Sequence, residues 1–239
     1  VKQIVDLVNN VHDERMKEVE TEDEDVTIED FEEVISKIEK KNKRSYDFLI
    51  RTGEGFKESI FQLCKRIIRD ETVPANFFET TLHQLWKNKF PKEDLNNHRF
   101  IHMKNWLPKC CEALLVSKMK PRILEAGTKY QIGGKPFHRV EEHLITVKAL
   151  ISRSISTNQG CMIQLVDIKG FFDAESLRGV MQSLYCAQIP LKMYRMWFKM
   201  NAKTVISVAT PTGMTEPGEA GELCGQGSAG AALASQLDI

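Results

Sequence analysis

Apolar positions recur every three or four residues over much of this chain, the signature of helices with one buried face. The cleanest run is Val140, His143, Leu144, Val147, Leu150, Ile151, Ser154 and Ile155, which predicts a helix over 140–155. Phe31, Val34, Ile35 and Ile38 repeat the pattern behind the acidic stretch ETEDEDVTIED, an expected linker. Thr27 and Asp30 stand there at capping-box spacing. Phe56, Ile60, Phe61, Cys64, Ile67 and Ile68 predict a helix from Glu54 to Arg69, stopped by Val73-Pro74. Trp106 to Ile123 is helical in character, with Leu107, Cys111, Leu114 and Leu115 as its apolar positions. Leu177, Val180, Met181, Leu184 and Tyr185 mark another helix up to Pro190, and Tyr194, Trp197 and Phe198 a further one.

The period shortens elsewhere. TTLHQLW and HRFIHM read as a strand pair around the polar turn KNKFPKEDLNN, CMIQLVD as a strand, and TVISVATPTGMTEPG as a hairpin around Thr212-Gly213. QIGGKPFHR reads as a loop, and LCGQGSAGAALASQLDI as a glycine loop entering a small-residue helix. Separated strands that do not alternate regularly with helices argue for an α+β fold.

Composition narrows this picture. With 42% hydrophobic residues in 239, a sizeable core is expected. No apolar run approaches the roughly 20 residues of a membrane span. The six cysteines form no CxxC pair, which suits reduced, mostly buried thiols and a nuclear or cytoplasmic protein. The formal net charge of zero conceals an asymmetry: residues 1–33 carry 13 acids against 3 bases, and the rest 20 against 30. A basic body suits a phosphate-rich partner, although an ordinary solvated surface would look the same.

Candidate chemistry starts at VDIKGFFD, residues 166–173. An aspartate closing an apolar strand needs a cationic partner, and Asp167 could hold a divalent metal through carboxylate oxygens. It could equally cap a turn, with Phe171 and Phe172 in the core. In GQGS, residues 225–228, paired glycines allow close backbone approach and Gln226 can hydrogen-bond a ligand, or the segment is simply a tight turn. Lys87, Arg99, Lys135 and Arg139 could line a channel for phosphates, or be surface charge. His83, His98, His102, His138 and His143 lack metal-ligand spacing and read as surface or loop residues. Ser228 and Ser235 lack the GxSxG context of a hydrolase.

The order of these features resembles the reverse transcriptase domain of LINE-type (non-LTR) retrotransposons, collinearly from about Thr27 to the last residue. VTIEDFEEVISKIEKKNKRSYD is similar to the family's leading helix and lysine-rich turn, without its Ser-Pro-Gly core. GFKESIFQLCKRIIRDETVPANFFETTLHQLWK parallels the fingers. DLNNHRFIHMKN resembles "dl.nyRpIsl", with Phe100 in place of proline. YQIGGKPFHRVEEHL resembles "Q.GFrpgrst.d.l", keeping Gln131, Gly133 and Pro136 but with Gly134 in place of phenylalanine. VDIKGFFD is similar to motif A, "DiekAFD". TVISVATPTGMTEPGEAGELCGQGS resembles the hairpin and motif B through Gln226, Gly227 and Ser228, with Ala234-Ser235 replacing the usual Ser-Pro.

The resemblance implies right-hand polymerase fingers and an incomplete palm without a thumb. Residues 1–26 would be an acidic lead, 27–160 fingers-like, and 161–239 a partial palm. Asp167 would be a catalytic, metal-binding carboxylate for Mg²⁺ (or Mn²⁺). Lys87 and Arg99 would neutralise the triphosphate of a dNTP. Phe172 would exclude a 2′ hydroxyl, while Gln226 and Gly227 would contact the RNA template and the incoming base pair beside a DNA primer. Asp173 would stabilise a turn. The family's second acidic motif, "[FY]xDD", is not in the sequence, and one carboxylate cannot assemble a two-metal site. A fragment that does not polymerise alone is therefore expected. A nucleic-acid-binding remnant without activity and an RNA-directed RNA polymerase are the alternatives, and Phe172 speaks against the second.

Overall fold

The computed structural model describes residues 25–41, 53–128, 130–133, 135, 137–166 and 176–220. Helix α1 (Ile28–Lys41) begins at the expected capping box. The Thr27 amide donates to the Asp30 carboxylate at 2.8 Å, and the Asp30 amide donates back to the Thr27 hydroxyl at 3.3 Å. This satisfies amides that a helix start leaves without partners. Helix α2 (Glu54–Arg69) has the expected bounds and buries Ile60, Phe61, Cys64, Ile67 and Ile68. It ends in a Schellman turn: Glu71 donates to the Ile68 carbonyl and Thr72 to the Ile67 carbonyl. Glu71 adopts φ 48° there, where glycine is usual.

After a 3-10 turn at Ala75–Phe78 come β1 (Glu79–Trp86) and β2 (His98–Lys104), an antiparallel pair in the expected positions. Helix α3 (Trp106–Ala126) is buried around much of its girth, through Cys110, Cys111, Glu112, Leu114, Leu115, Met119 and Ile123. Helix α4 spans Val140–Thr157. Helices α5 (Leu177–Cys186) and α6 (Leu191–Asn201) follow, then β3 (Thr204–Thr210), β4 (Gly213–Met214) and β5 (Gly218–Ala220). The β3–β4 turn contains Gly213 at φ 135°. The fold is α+β, as expected.

The sheet is mixed. β1 pairs with β2 on one edge and runs parallel to β3 on the other, and β3 carries β4 and β5 antiparallel on its far side. Residues from 27–160 and from 161–239 thus share one sheet. They also share one core, in which α1, α2 and α3 pack with α5 and α6 around Phe31, Phe77, Leu114, Leu184, Tyr194 and Trp197. Phe31 of α1 meets Phe61 of α2 at a 5.8 Å ring separation.

Polar anchors fix these layers. Glu71 receives a two-pronged bond from the Arg195 guanidinium and a third contact from Lys199 at 3.1 Å, tying the end of α2 to α6. Burial raises the cost of ionising Glu71, but these two cations outweigh it and hold the carboxyl below its ordinary range. Lys104 of β2 reaches Glu112 of α3 at 3.2 Å and Asn201 of α6 at 3.0 Å. Glu112 is fully buried, so this contact locks the sheet to two helices. Cys64, Cys110 and Cys111 are buried between α2 and α3. Burial pushes the Cys110 thiol up to about 12, and a bond to Cys64 together with burial pushes Cys111 up further.

The structure corrects several expectations. CMIQLVD does not form a strand over its described part: residues 161–166 have no regular structure, with Met162 94% and Leu165 93% exposed. An apolar run supplies strand propensity but cannot supply a neighbouring ladder. The face of α4, the clearest helical period in the sequence, buries no side chain. Phe56 is exposed rather than part of the α2 core face. His102 is buried rather than at the surface, because its position in β2 turns it toward the helices along with Lys104. Among the described residues no helix is long and apolar enough to cross a membrane.

Candidate nucleic-acid interface

The ladder between β1 and β2 decides where the two basic candidates go. Leu85 faces Arg99 and Trp86 faces His98, and the Lys87 amide extends the ladder to the Asn97 carbonyl at 2.8 Å. Alternation along a strand then puts Leu85, Lys87 and Arg99 on one face of the ribbon, with Lys87 and Arg99 as diagonal neighbours. The structure therefore brings these two residues together. The Lys87 ammonium also donates to the Asn96 carbonyl at 3.0 Å, which steadies it at the end of the ribbon.

The connecting loop is built by its own polar contacts. The Asp94 carboxylate accepts from the Asn96 backbone and side-chain amides, both at 2.9 Å. The Asn97 side chain donates to the Pro91 carbonyl at 2.8 Å. The indole of Trp86 donates to the Lys89 carbonyl at 2.8 Å, meets the Phe90 ring edge-on at 5.4 Å, and receives the Lys92 ammonium 5.4 Å from its centre. Phe90 is itself 81% exposed. The tip thus presents Lys87, Lys89, Lys92 and Arg99 against Glu93 and Asp94, around an exposed aromatic. Cations for phosphates beside a ring for a base are what single-stranded nucleic acid requires. Sequence reasoning passed over Trp86, Phe90 and Lys92, and the available signal was the lysine–aromatic alternation in WKNKFPK.

Lys135 and Arg139 belong to a different part of the fold, the loop leading into α4. The Lys135 ammonium turns back to the Thr128 carbonyl at 2.7 Å, beyond the end of α3. Arg139 precedes α4, and its amide donates to Glu142 at 2.9 Å. The His138 ring and that amide hold the Glu142 carboxyl below its ordinary range. Gln131 closes the glycine turn by accepting from the Gly133 amide at 3.1 Å. These residues shape the loop.

Asp167, Phe171, Phe172, Asp173, Gln226, Gly227 and Ser228 lie outside the described residues. Among the described residues no group of three or more His, Cys, Asp or Glu side chains is placed to hold a metal ion. A groove of about 500 Å³ between α1 and α2 is lined by Glu32, Glu54, Glu58 and Lys57 beside Phe31 and Ile35, and with Lys57 bound to Glu54 at 3.0 Å its net acidic rim does not suit phosphate. Compared with known proteins, the chain matches no family model and no curated sequence at a significant level.

Proposed function

We propose that this chain is the fingers and part of the palm of a retrotransposon-type reverse transcriptase, and that the β1–β2 ribbon is its contact with nucleotide phosphates. The observation that carries the reading is the collinear order of the resembling segments, with VDIKGFFD the most specific among them. The pairing of Lys87 and Arg99 on one face of the ribbon supports it, since two adjacent cations suit a triphosphate better than one. In this reading Asp167 would hold Mg²⁺ or Mn²⁺, which supplies charge neutralisation for phosphoryl transfer. Phe172 would press against the sugar and favour dNTP over NTP. Gln226 and Gly227 would face the RNA template and DNA primer.

Binding separates this function from its alternatives without requiring turnover. Fluorescence anisotropy with a labelled RNA–DNA primer–template should show salt-sensitive association. Lys87→Glu with Arg99→Glu should weaken it at least tenfold, about 1.4 kcal/mol. Calorimetry with dTTP and Mg²⁺ should show a dNTP preference that Phe172→Val reduces and a cation dependence that Asp167→Ala removes. Association with nucleic acid but not with dTTP would leave only a nucleic-acid-binding remnant, and equal affinity for UTP would favour an RNA polymerase. Failure of the double charge reversal to alter either affinity would overturn the role given to the ribbon.

A further inference from the structure

Helix α4 presents an apolar stripe that the other described residues leave largely uncovered. Val140, Leu144, Val147 and Ile151 follow one another at spacings of four, three and four residues. Val140 is 68%, Leu144 54% and Ile151 42% exposed, Val147 between them is half-buried, and no residue of the helix is fully buried. Beyond the left-handed turn at Asn158, Met162, Leu165 and Val166 are exposed as well. A stripe of this width is the seam of a two-helix packing.

The charges beside the stripe indicate what covers it. With Val140 and Val147 in one core position of the heptad and Leu144 and Ile151 in the other, Glu141 and Lys148 occupy the same flanking position one heptad apart. When two copies of α4 pack antiparallel, like flanks face each other. Val140 then layers on Ile151 and Leu144 on Val147 across a twofold axis. Glu141 of each copy meets Lys148 of the other, giving two reciprocal ion pairs. The other flank joins His143 to Leu150 without a charge clash. A parallel pairing would instead set His143 beside Lys148, with no attraction to fix the register. We propose that α4 is the self-association surface of this protein, forming an antiparallel, twofold dimer through Leu144 and Val147. The proposal rests on α4 alone and is independent of the polymerase reading.

Eighteen residues of helix are about 27 Å long, so the interface lies at the small end for specific contacts, and the expected dissociation constant is ~10–100 µM. Sedimentation velocity over that range should show a concentration-dependent dimer of the full chain. Leu144→Glu should shift dissociation at least tenfold while leaving the melting temperature of the monomer unchanged, since this side chain is exposed. Lys148→Glu, which sets Glu141 against a second acid twice over, should weaken the dimer by about 3- to 10-fold. Glu141→Lys combined with Lys148→Glu should restore it. A chain that stays monomeric at about 100 µM, or a dimer indifferent to Leu144→Glu, overturns the proposal. Failure of the double swap to rescue, with helical content by circular dichroism intact, overturns the antiparallel register.

Discussion

Helices α2 and α4 are close in length, 16 and 18 residues, and each carries one apolar face, yet their fates differ. The face of α2 is held by Phe31 of α1 and by the thiols of α3, and its last turn is clamped through Glu71 to α6. The face of α4 meets none of these. A helical period shows that a segment can bury one side, while burial itself depends on residues far away in sequence. Stability should therefore be concentrated around α2, α3 and α6 and nearly absent along α4.

Substitutions can test that contrast, beginning with the largest effect. Trp197→Ala, which empties a site 1% exposed at the centre of α6, should cost about 4 kcal/mol in urea unfolding. Lys104→Met comes next. It removes the ammonium from the buried Glu112 carboxylate and should cost about 3 kcal/mol. Glu71→Gln should cost about 2 kcal/mol at neutral pH by weakening the contacts with Arg195 and Lys199. Its pH dependence follows from the lowered carboxyl pKa: the unfolded chain takes up the proton at higher pH than the folded one. The contribution is thus full above the ordinary value of 4.5 and is lost as pH falls through the lower folded value. Paired urea titrations at pH 7 and pH 3.5 should show the gap between wild type and Glu71→Gln closing in acid. Leu144→Ala on α4, measured at sub-micromolar protein, should change stability by less than about 0.5 kcal/mol. A cost near that of Trp197→Ala would erase the contrast.

The elements legible in the sequence are those whose signals are local. The Thr27–Asp30 box, the α2 bounds and the turn at Gly213 each depend on residues a few positions apart, and β1 and β2 each carry their own strand pattern. The failures share a different cause. Whether CMIQLV became a strand depended on a partner ladder, and the burial of His102 depended on helices α3 and α6 arriving behind β2. At the candidate interface, Lys87 and Arg99 are grouped by resemblance, and only the ladder register across the long connecting loop makes them diagonal neighbours. The Trp86–Phe90–Lys92 cluster was concealed because a loop rich in polar residues reads only as a turn. Asp167, Phe172, Gln226 and Gly227 remain expectations carried by resemblance.

The buried thiols between α2 and α3 have a practical consequence. A maleimide or disulfide reagent attacks only an accessible thiolate: Cys64, Cys110 and Cys111 offer no access in the closed core, and the thiols of Cys110 and Cys111 are also held protonated there. Cys161 and Cys186 are exposed and should react at once, giving an internal reference in the same tube. The slow phase would then time the parting of α2 from α3, and its rate would register any ligand that holds those helices closed, without a dye, a tag or an assay for activity.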